Sequence, residues 1–126
     1  MARILIAEDE EALCALCARA LSTDGHEVTT ASDGAEALDV IGRADRSFDL
    51  LLTDIRMPIM DGIALALAAA RDHPALTIVL MTGYADQRER AHGLDAIIHD
   101  VISKPFSVAA LRDAVTEALT VGTRGN

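Results

Sequence analysis

Five polar side chains in this sequence stand at the ends of short, mainly apolar runs, and their types suit metal and phosphate chemistry. Glu8 and Asp9 follow the first run, Asp54 ends a second, Thr82 ends a third, and Lys104 follows a fourth. An unbroken apolar run is typical of an inner strand of a parallel sheet. Because ligands bind at the carboxyl ends of the strands in such sheets, we expect these side chains to meet in one crevice.

The predicted crevice would hold three carboxylates, whose mutual repulsion favours a bound cation. An all-oxygen site of Glu8, Asp9 and Asp54 suits Mg²⁺, which keeps several waters. The hydroxyl of Thr82 and the ammonium of Lys104 are the groups needed around a phosphoryl oxygen during an in-line transfer. The residue types therefore predict a Mg²⁺ site at which a phosphoryl group is handled.

Each of these residues has a simpler explanation when it is taken alone. Acids such as Glu8 and Asp9 also favour the first turn of a helix through its dipole, and a single lysine such as Lys104 is usually a solvated surface residue. The prediction depends on their coincidence at four strand ends of one fold.

The elements that position these side chains alternate along the chain. Predicted strands cover residues 3–7, 27–31, 48–54, 77–82 and a fifth segment centred on 101–103. Predicted helices run from the acidic cluster at 8–11 to about 23, and over about 33–44, 61–71, 86–98 and 108–119, the segment 86–98 being interrupted by Gly93. Asp33 with Glu36, and Asp61, have the spacing of helix N-caps. This alternation implies an α/β fold, a doubly wound five-stranded parallel sheet with five helices.

Length and charge limit the classes of protein to which the chain could belong. The 126 residues suit one domain, which we assign to residues 1–120, with 121–126 as a short polar tail and no output domain. The net charge of −9 disfavours binding to DNA or to an anionic membrane. The first apolar run is too short for a signal segment or a membrane span, so we expect a cytoplasmic protein.

Cys14 and Cys17 form a C-x-x-C motif that could serve redox or metal chemistry. No second pair follows, and no strand-to-helix turn holds the motif. Apolar neighbours at helical spacing favour Cys17 as a small core residue, with Cys14 at the margin of the core.

The combination of motifs resembles the CheY-like receiver domains of two-component response regulators over essentially the whole chain. The residues that carry the resemblance are the acidic pair Glu8-Asp9, Asp54 within the block LLLTDIRMPIMDG, Thr82, and Lys104-Pro105-Phe106. The resemblance implies that Asp54 is the phosphoacceptor. It also implies that Mg²⁺ is held by Asp9, Asp54 and the backbone carbonyl of Arg56, with Glu8 acting through water.

The resemblance further implies that Lys104 and Thr82 contact the phosphoryl group. The family's donor is a phosphohistidine on a histidine kinase or a histidine phosphotransfer protein. The resemblance thus implies a signalling domain and not an enzyme, one that supplies its own site for transfer and later hydrolysis, with Asp54 as nucleophile. The added charge would draw Thr82 and its loop inward and change the surface that partners contact.

One position departs from the family pattern. The conformational switch commonly includes an aromatic residue three positions before the lysine of the fifth strand, and here that position is Val101. Tyr84, the only tyrosine, lies two residues after Thr82 and is a candidate to replace it.

The chain is also similar to the CpdR-type single-domain receivers in its D-V-I-S-K-P-F block and its start M-A-R-I-L-I-A-E-D. Those receivers act in alphaproteobacterial cell-cycle phosphorelays and, when unphosphorylated, prime substrate delivery to the ClpXP protease. The similarity implies a proteolysis adaptor that phosphorylation of Asp54 switches off. The alternative is a phosphate relay or sink within a phosphorelay.

Two other classes of protein share the fold or the nucleophile. A haloacid-dehalogenase-type phosphohydrolase needs a second acid two residues after the nucleophile, where this chain has Arg56. A flavodoxin-like cofactor carrier needs a first loop rich in Gly, Ser and Thr, and the acids at 8–11 would instead repel a phosphate.

Overall fold

A five-stranded parallel sheet forms the centre of the structure, a computed structural model that describes residues 1–83 and 92–124. The strands are β1 Arg3–Ala7, β2 Glu27–Ala31, β3 Leu50–Asp54, β4 Thr77–Thr82 and β5 Asp100–Ser103. They lie in the order β2-β1-β3-β4-β5. The chain therefore moves outward from β1 to β2 and then crosses back to β3, which places the switch point between β1 and β3. The predicted α/β class and parallel sheet are confirmed.

Four α-helices lie within the described residues. They are α1 Glu11–Thr23, α2 Gly34–Arg43, α3 Gly62–Asp72 and α4 Val108–Arg124. Both predicted N-caps are confirmed: Asp33 accepts a hydrogen bond from the backbone N–H of Glu36 at 2.7 Å, and Asp61 accepts one from Ala64 at 2.9 Å. Each cap satisfies a backbone donor that the first helical turn cannot pair internally.

The predicted helix over about 86–98 differs from the structure where it can be compared. Residues 84–91 lie outside the described part of the chain, and the remainder forms a short 3₁₀ helix, His92–Leu94, followed by a turn. Gly93 lies within this segment, and glycine is a poor former of an α-helix because it loses more backbone entropy than other residues.

Three element boundaries also differ from the prediction. β3 begins at Leu50, so Phe48 is buried before the strand and not within it. The second helix ends at Arg43, because Ala44 takes an extended backbone conformation as its cap. The last helix extends to Arg124, beyond the apolar stripe from which its end was predicted.

The core lies on both faces of the sheet, because neighbouring residues of an inner strand point to opposite sides. All five residues of β3 are buried. On one face Leu51 packs with α2 and α3 residues, and on the other Leu50 and Leu52 pack with α1 and α4 residues. Full burial of a side chain of this size contributes roughly 1.5–3 kcal/mol. The packed sheet thus holds the side chains at its carboxyl edge in fixed positions.

The cysteine pair belongs to this core, as predicted. Cys17 is fully buried on α1, and the half-buried Cys14 packs against the same cluster. Burial raises the pKa of the Cys17 thiol to about 11 and raises that of Cys14 as well. Both groups are therefore protonated thiols at neutral pH, which disfavours redox chemistry.

No helix in the part of the chain that the structure describes is both long and apolar enough to span a bilayer.

Candidate functional site

The register of the strands brings the predicted site residues to the same edge of the sheet, within two residues of the level of Asp54. The neighbouring pairs at the strand ends are Ala7 with Thr53, Asp54 with Met81, and Thr82 with Ser103. Glu8 follows the pair Ala7–Thr53 and so emerges level with Asp54, whereas Lys104 follows the pair Thr82–Ser103 and emerges one residue beyond Thr82. The parallel pairing of four adjacent strands thus places together residues that are up to 96 positions apart in the sequence.

Three carboxylates converge at this edge. One oxygen from each of Glu8, Asp9 and Asp54 lies within 4.8 Å of the others. Glu8 and Asp54 are buried, with exposed fractions of 2% and 6%, whereas Asp9 is exposed. The site therefore has two acids at its floor and one at its solvent side.

Lys104 reaches into this cluster from the end of β5. Its Nζ lies 2.9 Å from Oε1 of Glu8 and 3.1 Å from Oδ2 of Asp54. One ammonium therefore bridges the two buried carboxylates. The second oxygen of Glu8, Oε2, accepts a hydrogen bond from the backbone N–H of Glu10 at 3.1 Å, so both oxygens of Glu8 have partners.

The pKa values follow from this burial and pairing. Burial raises the pKa of Glu8 to about 7, and the charge of Asp54 also raises it, while hydrogen bonds from Lys104 and Glu10 act in the opposite direction. Burial opposes the charge on Lys104, but Glu8 and Asp54 together outweigh burial and raise the pKa of its ammonium. Lys104 is therefore charged at neutral pH, and a cation near Glu8 would favour the carboxylate form.

A cavity of about 580 Å³ opens at the carboxyl edge of the sheet. Five of the six predicted site residues line it: Glu8, Asp9, Asp54, Arg56 and Lys104. The sixth, Thr82, is buried with an exposed fraction of 2%, and its carbonyl accepts a hydrogen bond from the backbone N–H of Lys104 at 2.7 Å. The ends of β4 and β5 are thus joined at the cavity.

The loop that follows Asp54 is held close to the strand by Gly62. The N–H of Gly62 donates to the carbonyl of Ile55 at 2.7 Å, and a β-carbon at position 62 would collide with the carbonyl oxygen of Asp54. In the sequence, Gly62 stands out only as the residue after the N-cap Asp61. The pair Asp61-Gly62 marks a turn, but nothing local in the sequence indicates which backbone atom the glycine must approach.

The donor atoms of the cluster fit a hard divalent cation. Carboxylate oxygens are the ligands that Mg²⁺ prefers in proteins, and one or two carboxylates with several waters complete its usual coordination. The carboxylates of Asp9 and Asp54 face a cavity large enough for such waters. Glu8 is already engaged by Lys104, which suits a less direct part in binding an ion.

Comparison with known families agrees with this arrangement. A family model of the response regulator receiver domain matches residues 4–116. The chain belongs to the response regulator receiver domain family. Receiver domains are signalling domains that bind Mg²⁺ at an acidic pocket and are phosphorylated by histidine kinases.

Curated relatives of the receiver include longer regulators. This chain is 33% identical to transcriptional regulatory protein TcrA of Mycobacterium tuberculosis and 38% identical to response regulator MprA of Mycobacterium avium, over 109 residues in each case. These alignments cover 86% of the receiver but only 42% and 47% of the two relatives. The chain thus spans less than half of their length, and the similarity supports the receiver domain alone.

Solved structures match the receiver over almost its whole length. A CheY-like receiver domain protein of Methanospirillum hungatei has a TM-score of 0.90 and 29% identity, covering 100% of this chain and 99% of that one. Response regulator TrrA of Thermotoga maritima, solved in complex with Mg²⁺-BeF, has a TM-score of 0.83 and 28% identity, covering 94% and 99%.

The position that departs from the family pattern lies beside the core. Val101 is half-buried in β5 and packs against the cluster that contains Leu80. Tyr84, which the sequence suggested as its replacement, lies outside the described residues.

Proposed function

We propose that this receiver accepts a phosphoryl group from a phosphohistidine on the carboxylate of Asp54. The observation that carries the proposal is the contact between Nζ of Lys104 and Oδ2 of Asp54, 3.1 Å apart, beside two further carboxylates at the mouth of one cavity. A buried acid with one charged partner and an open cavity in front of it is a nucleophile that a donor can reach.

In the proposed transfer, an oxygen of Asp54 attacks the phosphorus of the phosphohistidine. The P–O bond forms as the P–N bond breaks, and the electron pair of the broken bond leaves with the imidazole nitrogen, which is neutralised by a proton. The product is an acyl phosphate on Asp54. Hydrolysis by water later restores the carboxylate and releases inorganic phosphate, which makes the receiver the site of its own dephosphorylation.

The residues around Asp54 have separate parts in this reaction. Asp9, Asp54 and the backbone carbonyl of Arg56 are proposed to hold Mg²⁺, with Glu8 acting through water. When bound, Mg²⁺ supplies positive charge beside the phosphoryl oxygens. The Mg²⁺-BeF complex of TrrA, a protein with the same fold and 28% identity, supports the binding of Mg²⁺ by this receiver.

Lys104 and Thr82 are proposed to contact the transferred phosphoryl group. Lys104 already lies within hydrogen-bonding distance of Asp54, so its ammonium is placed to meet charge that develops on the phosphoryl oxygens. Thr82 ends β4 opposite Ser103, the residue before Lys104, and movement of its hydroxyl toward a phosphorylated Asp54 would carry the adjoining Gly83 with it.

Phosphorylation is proposed to switch a surface that contacts another protein. An added charge of about −1.5 to −2 on a buried acid shifts the balance between two conformations of the loops around it. A CpdR-type adaptor for the ClpXP protease is one such output, and a phosphate relay or sink is the alternative. Direct DNA binding is not part of the proposal, because the net charge of −9 would repel a phosphate backbone, although the name of TcrA places that relative among transcriptional regulators.

Labelling with a radioactive small phosphodonor in the presence of Mg²⁺ tests the acceptor residue. We expect label that is stable in acid and labile in base in the wild type, and none in Asp54→Asn. Asp45→Asn is the matched control, because Asp45 is an exposed acid that precedes β3 at the opposite edge of the sheet. Label that persists in Asp54→Asn would contradict the proposal.

A capture experiment separates the two outputs. The receiver is immobilised with Mg²⁺ alone or with Mg²⁺ and beryllofluoride, and purified ClpX and histidine phosphotransfer proteins are offered to both states. Capture of ClpX by the unmodified state alone supports the adaptor. Capture of a phosphotransfer protein without any binding of ClpX favours the relay or sink.

A further inference from the structure

Ile59 has a backbone conformation that its residue type disfavours. Its φ is +70°, the only positive φ of a non-glycine residue in the part of the chain that the structure describes. The N–H of Met60 donates to the carbonyl of Pro58 at 2.7 Å, so Ile59 is the central residue of a γ-turn with positive φ. Such turns are rare and strained, and a β-branched side chain is among the least suited to them.

The residues beside Ile59 are anchored to the rest of the protein. The carbonyl of Met60 accepts a hydrogen bond from the N–H of Gly34 at 3.2 Å, which ties the turn to the start of α2. Met57 is buried, and Asp61 caps α3. These anchors impose the turn, so the backbone alone does not explain why isoleucine stands at its centre.

The side chain of Ile59 gains nothing from the fold that could offset the strain. It is 84% exposed, the most exposed large apolar side chain after the terminal Met1 among the residues that the structure describes. Glycine or asparagine would accept the same φ with less strain. An apolar, β-branched side chain held outward on a strained turn is therefore best explained by contact with another molecule.

The position of the turn indicates which molecule this is. Three peptide units separate Ile59 from Gly62, so the Cα atoms of these two residues are at most about 11 Å apart. Gly62 lies directly against the backbone of Asp54 and Ile55. A protein that delivers a phosphoryl group to Asp54 must cover that edge, and an ordinary interface covers about 800 Å² on each partner, a patch with a radius of roughly 16 Å. Ile59 lies within such a patch.

We propose that Ile59 is a specificity-determining contact for the protein that carries the phosphohistidine. This inference rests on the proposed function, because it requires a protein donor that docks over Asp54. A small phosphodonor needs only the cavity and makes no use of Ile59. The side chain should therefore affect transfer from a protein donor and leave transfer from a small donor unchanged.

The test compares two donors on the same variants. The protein donor is a phosphorylated histidine phosphotransfer protein, chosen from a purified panel because it phosphorylates the wild-type receiver fastest, and the small donor is acetyl phosphate. Ile59→Asn removes the apolar side chain and suits the positive φ, while Ile59→Val keeps an apolar, β-branched side chain. Leu67→Asn is the control, because Leu67 is 49% exposed on α3 and lies further from the strand ends.

We expect Ile59→Asn to melt at the same temperature as the wild type or higher, and to label normally with acetyl phosphate. Its kcat/KM with the protein donor should fall by about tenfold or more, while Ile59→Val and Leu67→Asn stay within twofold of the wild type. An unchanged rate from the protein donor, or an equal fall with both donors, would overturn the proposal. Wild-type protein that accepts label from neither donor would instead overturn the proposed function, and this inference with it.

Discussion

Lys104 and Glu8 form an ion pair across the candidate site, with Nζ of the lysine 2.9 Å from Oε1 of the glutamate, although 96 residues separate them in the chain. The same ammonium lies 3.1 Å from Asp54. The single positive charge of Lys104 thus forms ion pairs with two buried carboxylates. In the absence of a metal ion, Lys104 is the charged group that neutralises the carboxylates of Glu8 and Asp54.

Replacement of Lys104 by methionine should therefore destabilise the metal-free protein. Two buried acids would lose their shared partner, and an uncompensated buried charge typically lowers stability by about 3–5 kcal/mol. Because Lys104 is partly exposed and protons can replace the lost charge, we expect a loss of about 1–3 kcal/mol at pH 8. Urea unfolding in EDTA measures the change.

The matched control for this variant is Arg43→Met, because Arg43 forms an ion pair with Asp39 on the exposed surface of α2. Exposed pairs contribute about 0–1 kcal/mol. An equal loss of unfolding free energy in the two variants would show that the buried ion pairs of Lys104 stabilise the protein no more than an exposed pair does.

Mg²⁺ should raise the free energy of unfolding of the wild type, since a ligand that binds only the folded state stabilises it. At ten times the dissociation constant, the increase would be about 1.4 kcal/mol. Asp9→Asn should lose this increment and yet be as stable as the wild type in EDTA or more so, because it removes one of three mutually repelling carboxylates. Thermal unfolding with and without Mg²⁺ gives both quantities, and an undiminished increment in Asp9→Asn would contradict the assigned ligand.

The raised pKa of Glu8 gives the stability of the metal-free protein a definite pH dependence. Below its ordinary pKa of 4.5, Glu8 is protonated in both the folded and the unfolded state. Between 4.5 and about 7 the folded protein retains a proton that the unfolded chain has lost, so stability falls as the pH rises through this window. One pKa unit corresponds to about 1.4 kcal/mol, which gives an expected loss on the order of 1–3 kcal/mol.

Because glutamine does not titrate, the variant Glu8→Gln should lack the fall in stability that Glu8 causes as the pH rises. The difference in unfolding free energy between the variant and the wild type, measured in EDTA at several pH values, should grow in favour of Glu8→Gln from pH 4.5 to 8. A difference that does not change with pH would contradict the raised pKa.

Gly62 should tolerate no side chain. Gly62→Ala would place a β-carbon against the carbonyl oxygen of Asp54, so the loop and the strand would have to separate. We expect a loss of stability of about 2 kcal/mol or more and slower phosphorylation of Asp54. Chemical unfolding and labelling with a small phosphodonor measure the two effects.

Gly42→Ala is the control for this substitution. Gly42 lies within α2, where a β-carbon would have no neighbour within 4 Å. Alanine is a better helix former than glycine, so this variant should gain up to about 1 kcal/mol. A comparable loss in both variants would show that the close approach of Gly62 to Asp54 is not the cause.

The sequence by itself determined the class of the fold and the composition of the candidate site. Apolar runs of strand length, regularly spaced caps such as Asp33 and Asp61, and polar residues at four run ends are local features, so they can be recognised without coordinates. The same local rules failed where their signal was weak: they extended a helix interrupted by Gly93 to about residue 98, where the chain forms a short 3₁₀ helix and a turn, and they ended the last helix at the close of its apolar stripe, although α4 continues to Arg124.

Only the tertiary structure decided how the site residues are paired. The sequence predicted that Lys104 contacts a phosphoryl group, but its bridge between Glu8 and Asp54 depends on the register of four strands and on the depth at which each side chain is buried. The contact of Gly62 with the backbone of Asp54 and the positive φ of Ile59 likewise arise from the path of a loop between two anchored elements. Residue type and spacing report short-range preferences, whereas these features result from distances between segments that the chain brings together only when it folds.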